Sequence, residues 1–115
     1  MFVDFNNVKI YIKPGGTNFN KYINGLAEIV QNEMKLDAFS GSLFLFCNKN
    51  RNRLRILYWD RNGFCLWMKR LERDKFPWPN NESGIKELSK HQLSMLLDGI
   101  DFFHAHKILQ FKSVG

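Results

Sequence analysis

The sequence predicts a small single α+β domain over residues 1–115. An antiparallel sheet of three to four strands, with a meander through 43–47, 54–59 and 64–71, packs with an N-terminal helix (18–34) and a C-terminal helix (89–98). Three observations predict it. Apolar runs of strand length at 43–47, 54–59 and 64–71 are separated by polar turn residues. Between Phe19 and Met34 apolar side chains recur at steps of three and four, the spacing of one helical face. Ser89 is followed three residues later by Gln92, the pattern of a helix capping box.

The elements follow in order. Val8-Lys9-Ile10-Tyr11-Ile12 alternates with period two and reads as a short strand ended by Pro14-Gly15-Gly16. Thr17 or Asn18 then caps the first helix, whose buried face is Phe19, Tyr22, Ile23, Leu26, Val30 and Met34. Gly25 interrupts it and suits a close approach by a neighbour. Leu43 to Cys47 is continuously apolar, as in a strand covered on both faces. Asn48 to Asn52 form a polar, basic loop.

Leu54–Trp59 and Phe64–Leu71 form a hairpin across Asp60-Arg61-Asn62-Gly63. A type I turn closed by Gly63 in the left-handed conformation, a G1 bulge, sets Asp60 roughly opposite Phe64. Leu54, Ile56 and Tyr58 then share a face with Phe64, Leu66 and Met68. The opposite face carries Arg53, Arg55, Leu57 and Trp59 with Cys65, Trp67, Lys69 and Leu71. A two-residue Asn-Gly turn would pair the faces differently.

Pro77 and Pro79 flank Trp78 and end regular structure, and residues 80–84 read as a loop. Leu88 and Leu93 are spaced as a hydrophobic staple around the Ser89 cap. Leu93, Leu96 and Leu97 form the buried stripe, and Gly99 fits the position just past the helix end. Residues 101–111 keep apolar positions that suit either a short helix or a partner-binding tail, and 102–115 is expected to be a flexible tail.

Composition bounds the function. The chain has 115 residues, 44% of them hydrophobic and 15% aromatic, enough for a modest core without staples, which argues against disorder. No apolar run reaches the roughly 20 residues needed to cross a bilayer, and the N-terminus lacks the pattern of a signal peptide. Cys47 and Cys65 both lie in apolar runs and read as buried, reduced thiols of a cytoplasmic protein.

The net charge is +6, and its location is informative. Nine basic residues fall between Asn48 and Lys75: Lys49, Arg51, Arg53, Arg55, Arg61, Lys69, Arg70, Arg73 and Lys75. Only Asp60, Glu72 and Asp74 oppose them there, while basic and acidic residues balance elsewhere. Concentrated positive charge favours a polyanion, because neutralised phosphates release condensed counterions.

Nothing in the sequence points to an enzyme. Metal-ion catalysis needs carboxylates converging on the ions, whereas Asp60 belongs to a turn and Glu72 and Asp74 sit amid cations. His91 lies in the first turn of a helix, and the His104/His106 pair is too little for a metal site. Neither cysteine has a neighbouring histidine or Gly-rich turn to activate it. No cofactor, metal or small-molecule substrate is expected.

The stretch Phe39 to Pro79 carries a family resemblance. Phe39-Ser40-Gly41-Ser42-Leu43-Phe44-Leu45-Phe46 leads into Leu54-Arg55-Ile56-Leu57-Tyr58-Trp59-Asp60. Gly63-Phe64-Cys65-Leu66-Trp67-Met68-Lys69-Arg70-Leu71-Glu72-Arg73 and Phe76-Pro77-Trp78-Pro79 follow. This is similar to the Orf2-like accessory protein, TnpB type, of the sixty-sixth insertion-sequence family, over about Val8 to Asp101. Gly25-Leu26-Ala27, Val30, Leu88, Gln92, Leu96-Leu97 and Gly99 extend the likeness. One departure stands out: where the family tends to have Asp-Met-Arg-Lys before its first helix, this chain has Asn18-Phe19-Asn20-Lys21. Asn18 can still cap, but the side chain of the usual Arg is gone.

The resemblance implies a non-catalytic role in transposition beside a separate transposase, and it assigns no mechanism. Two readings are carried forward. In the first, DNA such as the element's terminal repeats is held by Lys49, Arg51, Arg53, Arg55, Arg61, Lys69, Arg70, Arg73 and Lys75, with Trp59 and Trp67 stacking on exposed bases. In the second, the protein is an adaptor that docks on the transposase through Phe76 and Trp78.

Overall fold

The structure, a computed structural model, describes residues 7–103. The elements run β1 (Ile10–Gly16), α1 (Ile23–Asn32), β2 (Leu43–Cys47), β3 (Arg53–Asp60), β4 (Gly63–Arg70), β5 (Lys86–Leu88) and α2 (Lys90–Leu97). The α+β class and both helices are as expected from the sequence. The sheet is larger and differently wired: five strands in the order β4-β3-β2-β1-β5. The meander β2-β3-β4 is antiparallel, but β1 lies parallel to β2 and antiparallel to β5. Parallel neighbours need a long crossover, usually a helix, and the segment holding α1 supplies it.

The sheet is covered on both faces. On one side Phe44, Phe46 and Leu57 pack against Leu26, Ile29, Val30 and Met34 of the α1 region. On the other, Ile12, Leu45 and Ile56 pack with Phe76, Trp78 and the α2 side chains Leu93 and Leu96. All five residues of β2 are buried, as its unbroken apolar run predicts. Each large side chain so removed from water contributes roughly 1.5–3 kcal/mol.

Four local expectations are corrected. β1 does not stop at Pro14-Gly15-Gly16 but continues to Gly16 through an irregularity after Ile12, where proline is tolerated. The first helix starts at Ile23, not residue 18. Asn18 builds a tight turn instead, its Oδ1 accepting from the Asn20 N–H at 2.9 Å and its carbonyl from the Lys21 N–H at 3.2 Å. Short polar side chains offer the backbone this alternative to a helix. Tyr22 occupies the N-cap position and makes no side-chain cap. β5, only three residues long and abutting the α2 cap, carries no alternation to read.

The fourth correction moves side chains between faces. The β3–β4 connection has two residues, Arg61-Asn62, with Asp60 opposite Gly63 and Arg61 in the left-handed region at φ +50°. Trp59 therefore faces Phe64, Leu57 faces Leu66, Arg55 faces Met68 and Arg53 faces Arg70. Trp67 and Lys69 pair with Ile56 and Leu54 on the other side of the sheet. The expected register assumed one apolar and one solvated face. With both faces covered, apolar residues are needed on each, and grouping six on one side was no advantage.

At the second helix the expectations hold. Ser89 and Gln92 form the reciprocal capping box, and Gly99 follows α2 in the left-handed region at φ +77°. Phe102 and Phe103 pack against the α2-side core, and the expected tail from residue 104 onward lies outside the described residues.

Candidate nucleic-acid interface

The hairpin has a tip and an open end, and the cations divide between them. At the open end the β2–β3 loop is organised by Asn48, whose Oδ1 accepts from the Asn52 and Arg53 N–H groups at 3.0 Å each, while its Nδ2 donates to Asn52 Oδ1 at 2.7 Å. The loop lies against Gly16, where a Cβ would stand 2.9 Å from Lys49 Cα, so only glycine permits this approach. The chain leaving β4 returns to the same loop: Leu71 N–H donates to Asn52 O at 2.8 Å and Phe76 N–H to Arg51 O at 2.7 Å. Residues 72–75 therefore arch over this end. Lys49, Arg51, Arg53, Arg70, Arg73 and Lys75 are gathered here, with Glu72 and Asp74 the acids among them.

Within this group Arg51 donates from Nη1 to Trp78 O at 3.4 Å, and Arg70 is held by Glu72 at 2.9 Å on the surface. The side chains of Lys49, Arg53, Arg73 and Lys75 are exposed and have no hydrogen-bond or ion-pair partner among the described residues. Arg53 stands directly opposite Arg70 in the ladder, and the Glu72 carboxylate on Arg70 offsets the repulsion between the two like charges.

The remaining sequence candidates lie elsewhere. Arg55, in mid-strand, turns to the α1 side and donates from Nη1 to Phe19 O at 3.1 Å and Lys21 O at 2.8 Å. Its guanidinium carbon is 4.2 Å from the Phe19 ring centroid and 5.0 Å from that of Tyr22. Lys69 faces the other side and donates to Leu97 O at 2.7 Å, at the C-terminal end of α2 where a cation complements the helix dipole. Arg61 sits at the tip, 3.8 Å from Asp60 with its side chain 90% exposed.

Neither indole joins the cations. Trp59 lies near the tip in an aromatic cluster, its ring 5.0 Å from both Phe39 and Phe64. That is about 20 Å along the strand from Arg53. Trp67 packs on the α2-side core. Phe76 and Trp78 are buried, at 1% and 5% exposure, and Trp78 Nε1 donates to Lys13 O at 2.9 Å. Both are spent inside the molecule and present nothing to a partner.

The structure adds a feature the sequence reading missed. Beside the open end, on the α1 side, is a cleft of about 430 Å³ lined by Phe19, Arg53, Arg55, Met68, Arg70 and Glu72 among others. Phe19 and Tyr22, expected on the helix stripe, precede the first turn of α1. The signal that frees them is Asn18-Phe19-Asn20, whose asparagines favour a turn.

A five-stranded sheet enclosed by helices, with six cations at one end, defines a small basic α+β protein. No group of three or more His, Cys, Asp or Glu able to hold a metal ion occurs among the described residues, and no helix there is long and apolar enough to cross a membrane. The chain belongs to the IS66 Orf2-like family, whose model matches residues 8–107, and is thereby a transposition-associated accessory protein. It is similar to two uncharacterised proteins of Sinorhizobium fredii (strain NBRC 101917 / NGR234). It shares 38% identity with y4hO over 109 residues, 95% of each chain. With y4jC it shares 33% over 95 residues, 83% of this chain and 81% of the relative. No solved structure matches it.

Proposed function

We propose that this accessory protein acts in transposition by binding DNA, and that the contact surface is the open end of the β3–β4 hairpin. The observation that carries this reading is the set Lys49, Arg53, Arg73 and Lys75, exposed cations with no ion-pair partner among the described residues, beside Arg70, whose charge Glu72 offsets. Such an arrangement favours a polyanion, whose condensed counterions it releases. The loop around Asn48 and the return of residues 71–76 fix the backbone beneath these cations, so the side chains are presented on a built platform.

The Lys69 ammonium is engaged by Leu97 O at the end of α2, and Arg55 contributes to this surface only from its edge. Phosphate contacts of this kind are sequence-tolerant and position the protein rather than select a site. The adaptor reading loses its two anchors, because Phe76 and Trp78 are in the core.

The test is an anisotropy titration on labelled DNA carrying the element's terminal repeats, repeated across salt concentrations. Four or five phosphate contacts give a slope of log affinity against log salt of about −4. Arg53→Glu is expected to weaken binding about tenfold and flatten that slope by about one contact. Affinity and slope both unaltered in this variant would rule out the open end as the DNA surface.

A further inference from the structure

The cleft beside the basic end combines two kinds of chemistry that duplex DNA does not use together. Arg53 and Arg70 stand at its rim, with Glu72 holding Arg70. Its wall presents Phe19 and Met68, the latter 54% exposed, and Tyr22 stands next to Arg55 with 57% of its surface in water. Exposed aromatic and thioether groups beside cations have little to offer a closed double helix, whose bases are stacked on one another. They suit bases that have come out of the stack.

The rings are held in place. Arg55 ties the 18–22 turn to β3 through two backbone carbonyls and lies over both rings. Only its Nη1 is engaged among the described residues, so three of the five guanidinium donors remain for an anion entering the cleft. At about 430 Å³ the cleft falls in the roughly 300–1,000 Å³ range of sites that accept a molecule of nucleotide size. On the far side of Phe19 a second hollow of about 250 Å³, lined by Thr17, Asn18, Asn48, Lys49 and Asn50, continues the path with polar groups and one cation.

We propose that this groove binds single-stranded DNA. One base lies against Phe19, Tyr22 and Met68, and the flanking phosphates rest on Arg53, Arg55 and Arg70 to one side and on Lys49 to the other. This rests on the DNA-binding reading and goes further by naming the form of DNA recognised.

The full chain is titrated with a fluorescein-labelled dT12 strand and, separately, with a 12-base-pair duplex at the same salt. The single strand is expected to bind at least tenfold tighter. Tyr22→Ala and Met68→Ala change exposed side chains, and each is expected to weaken dT12 binding at least threefold while leaving the duplex unaffected. Circular dichroism melting confirms that the variants fold. Replacing one thymine by 5-iodouracil and irradiating is expected to place the crosslink on Phe19 or Tyr22. A duplex bound as tightly as the single strand, or crosslinks confined to the hairpin tip, overturns this inference and leaves DNA binding standing. Failure to bind either form removes both.

Discussion

Arg55 and Lys69 lie within two residues of Arg53 and Arg70 along the same hairpin, yet the two regions use their charge in opposite ways. One step in from the open end the cations bond back to the molecule itself: Arg55 fastens the 18–22 turn and Lys69 closes the end of α2. At the open end Arg53, Arg73 and Lys75 project into water without partners among the described residues. A block of positive charge that is continuous in sequence is thus part internal fastening and part exposed surface. Density of lysine and arginine locates a region, and only the hydrogen bonds tell which part can meet a polyanion.

This division can be broken or sharpened by measurement. The largest effect is expected from reversing the exposed set together. Arg53→Glu, Arg73→Glu and Lys75→Glu combined should lower DNA affinity on the order of 100-fold at moderate salt, with the thermal midpoint essentially unmoved. A fall in affinity matched by unfolding would erase the distinction.

Next comes Arg55→Met, which strips two charge-assisted hydrogen bonds and leaves the Phe19 and Lys21 carbonyls to find water. Urea unfolding should report a loss of about 2 kcal/mol. Lys69→Met should cost about 1 kcal/mol, the size of a cation at a helix C-terminus, and change DNA affinity less than threefold. If Lys69→Met instead harmed binding as much as Arg53→Glu, Lys69 would have to be counted as surface after all.

The smallest effect at neutral pH concerns Cys47, next to the basic loop. Burial pushes its thiol from the ordinary 9.0 up to about 12, against the opposing pull of Arg51 and a hydrogen bond from the Asn48 backbone. The folded chain keeps this proton where the unfolded chain has released it. The resulting stability is complete below about pH 9 and is lost as pH rises towards 12. In the Cys47→Ala variant the decline of the unfolding midpoint over that range should be shallower. Iodoacetamide at pH 8 should label the half-buried Cys65 well before Cys47, as peptide mass mapping can show.

Much of the fold was legible. The run Leu43–Cys47 announced a strand buried on both sides, and Ser89 with Gln92 announced α2 almost to the residue, because a capping box is a local device. What failed was non-local. Nothing near Ile10 says that its neighbours will be Leu43 and Leu88. The register of β3 on β4 hinged on Arg61 entering the left-handed region, uncommon for an arginine, and that one dihedral separated Trp67 and Lys69 from Arg53. At the candidate site the basic loop and its cations were readable from composition. The cleft was not, since it forms where the Asn18 turn meets a strand more than thirty residues away.

The position of β1 has a consequence for how the molecule is made. Among the described strands it comes first in the chain, and it ends up inside the sheet, flanked by β2 and by the short β5 contributed by Lys86–Leu88. On the ribosome, β1 can pair on one side once residue 47 has emerged, while its other side waits for some forty more residues. Until then a row of unsatisfied amides and carbonyls lies open to any extended neighbour, including a second nascent chain. Premature termination anywhere between the hairpin and β5 leaves a product with that flank exposed, a species suited to clumping or to rapid removal by proteases.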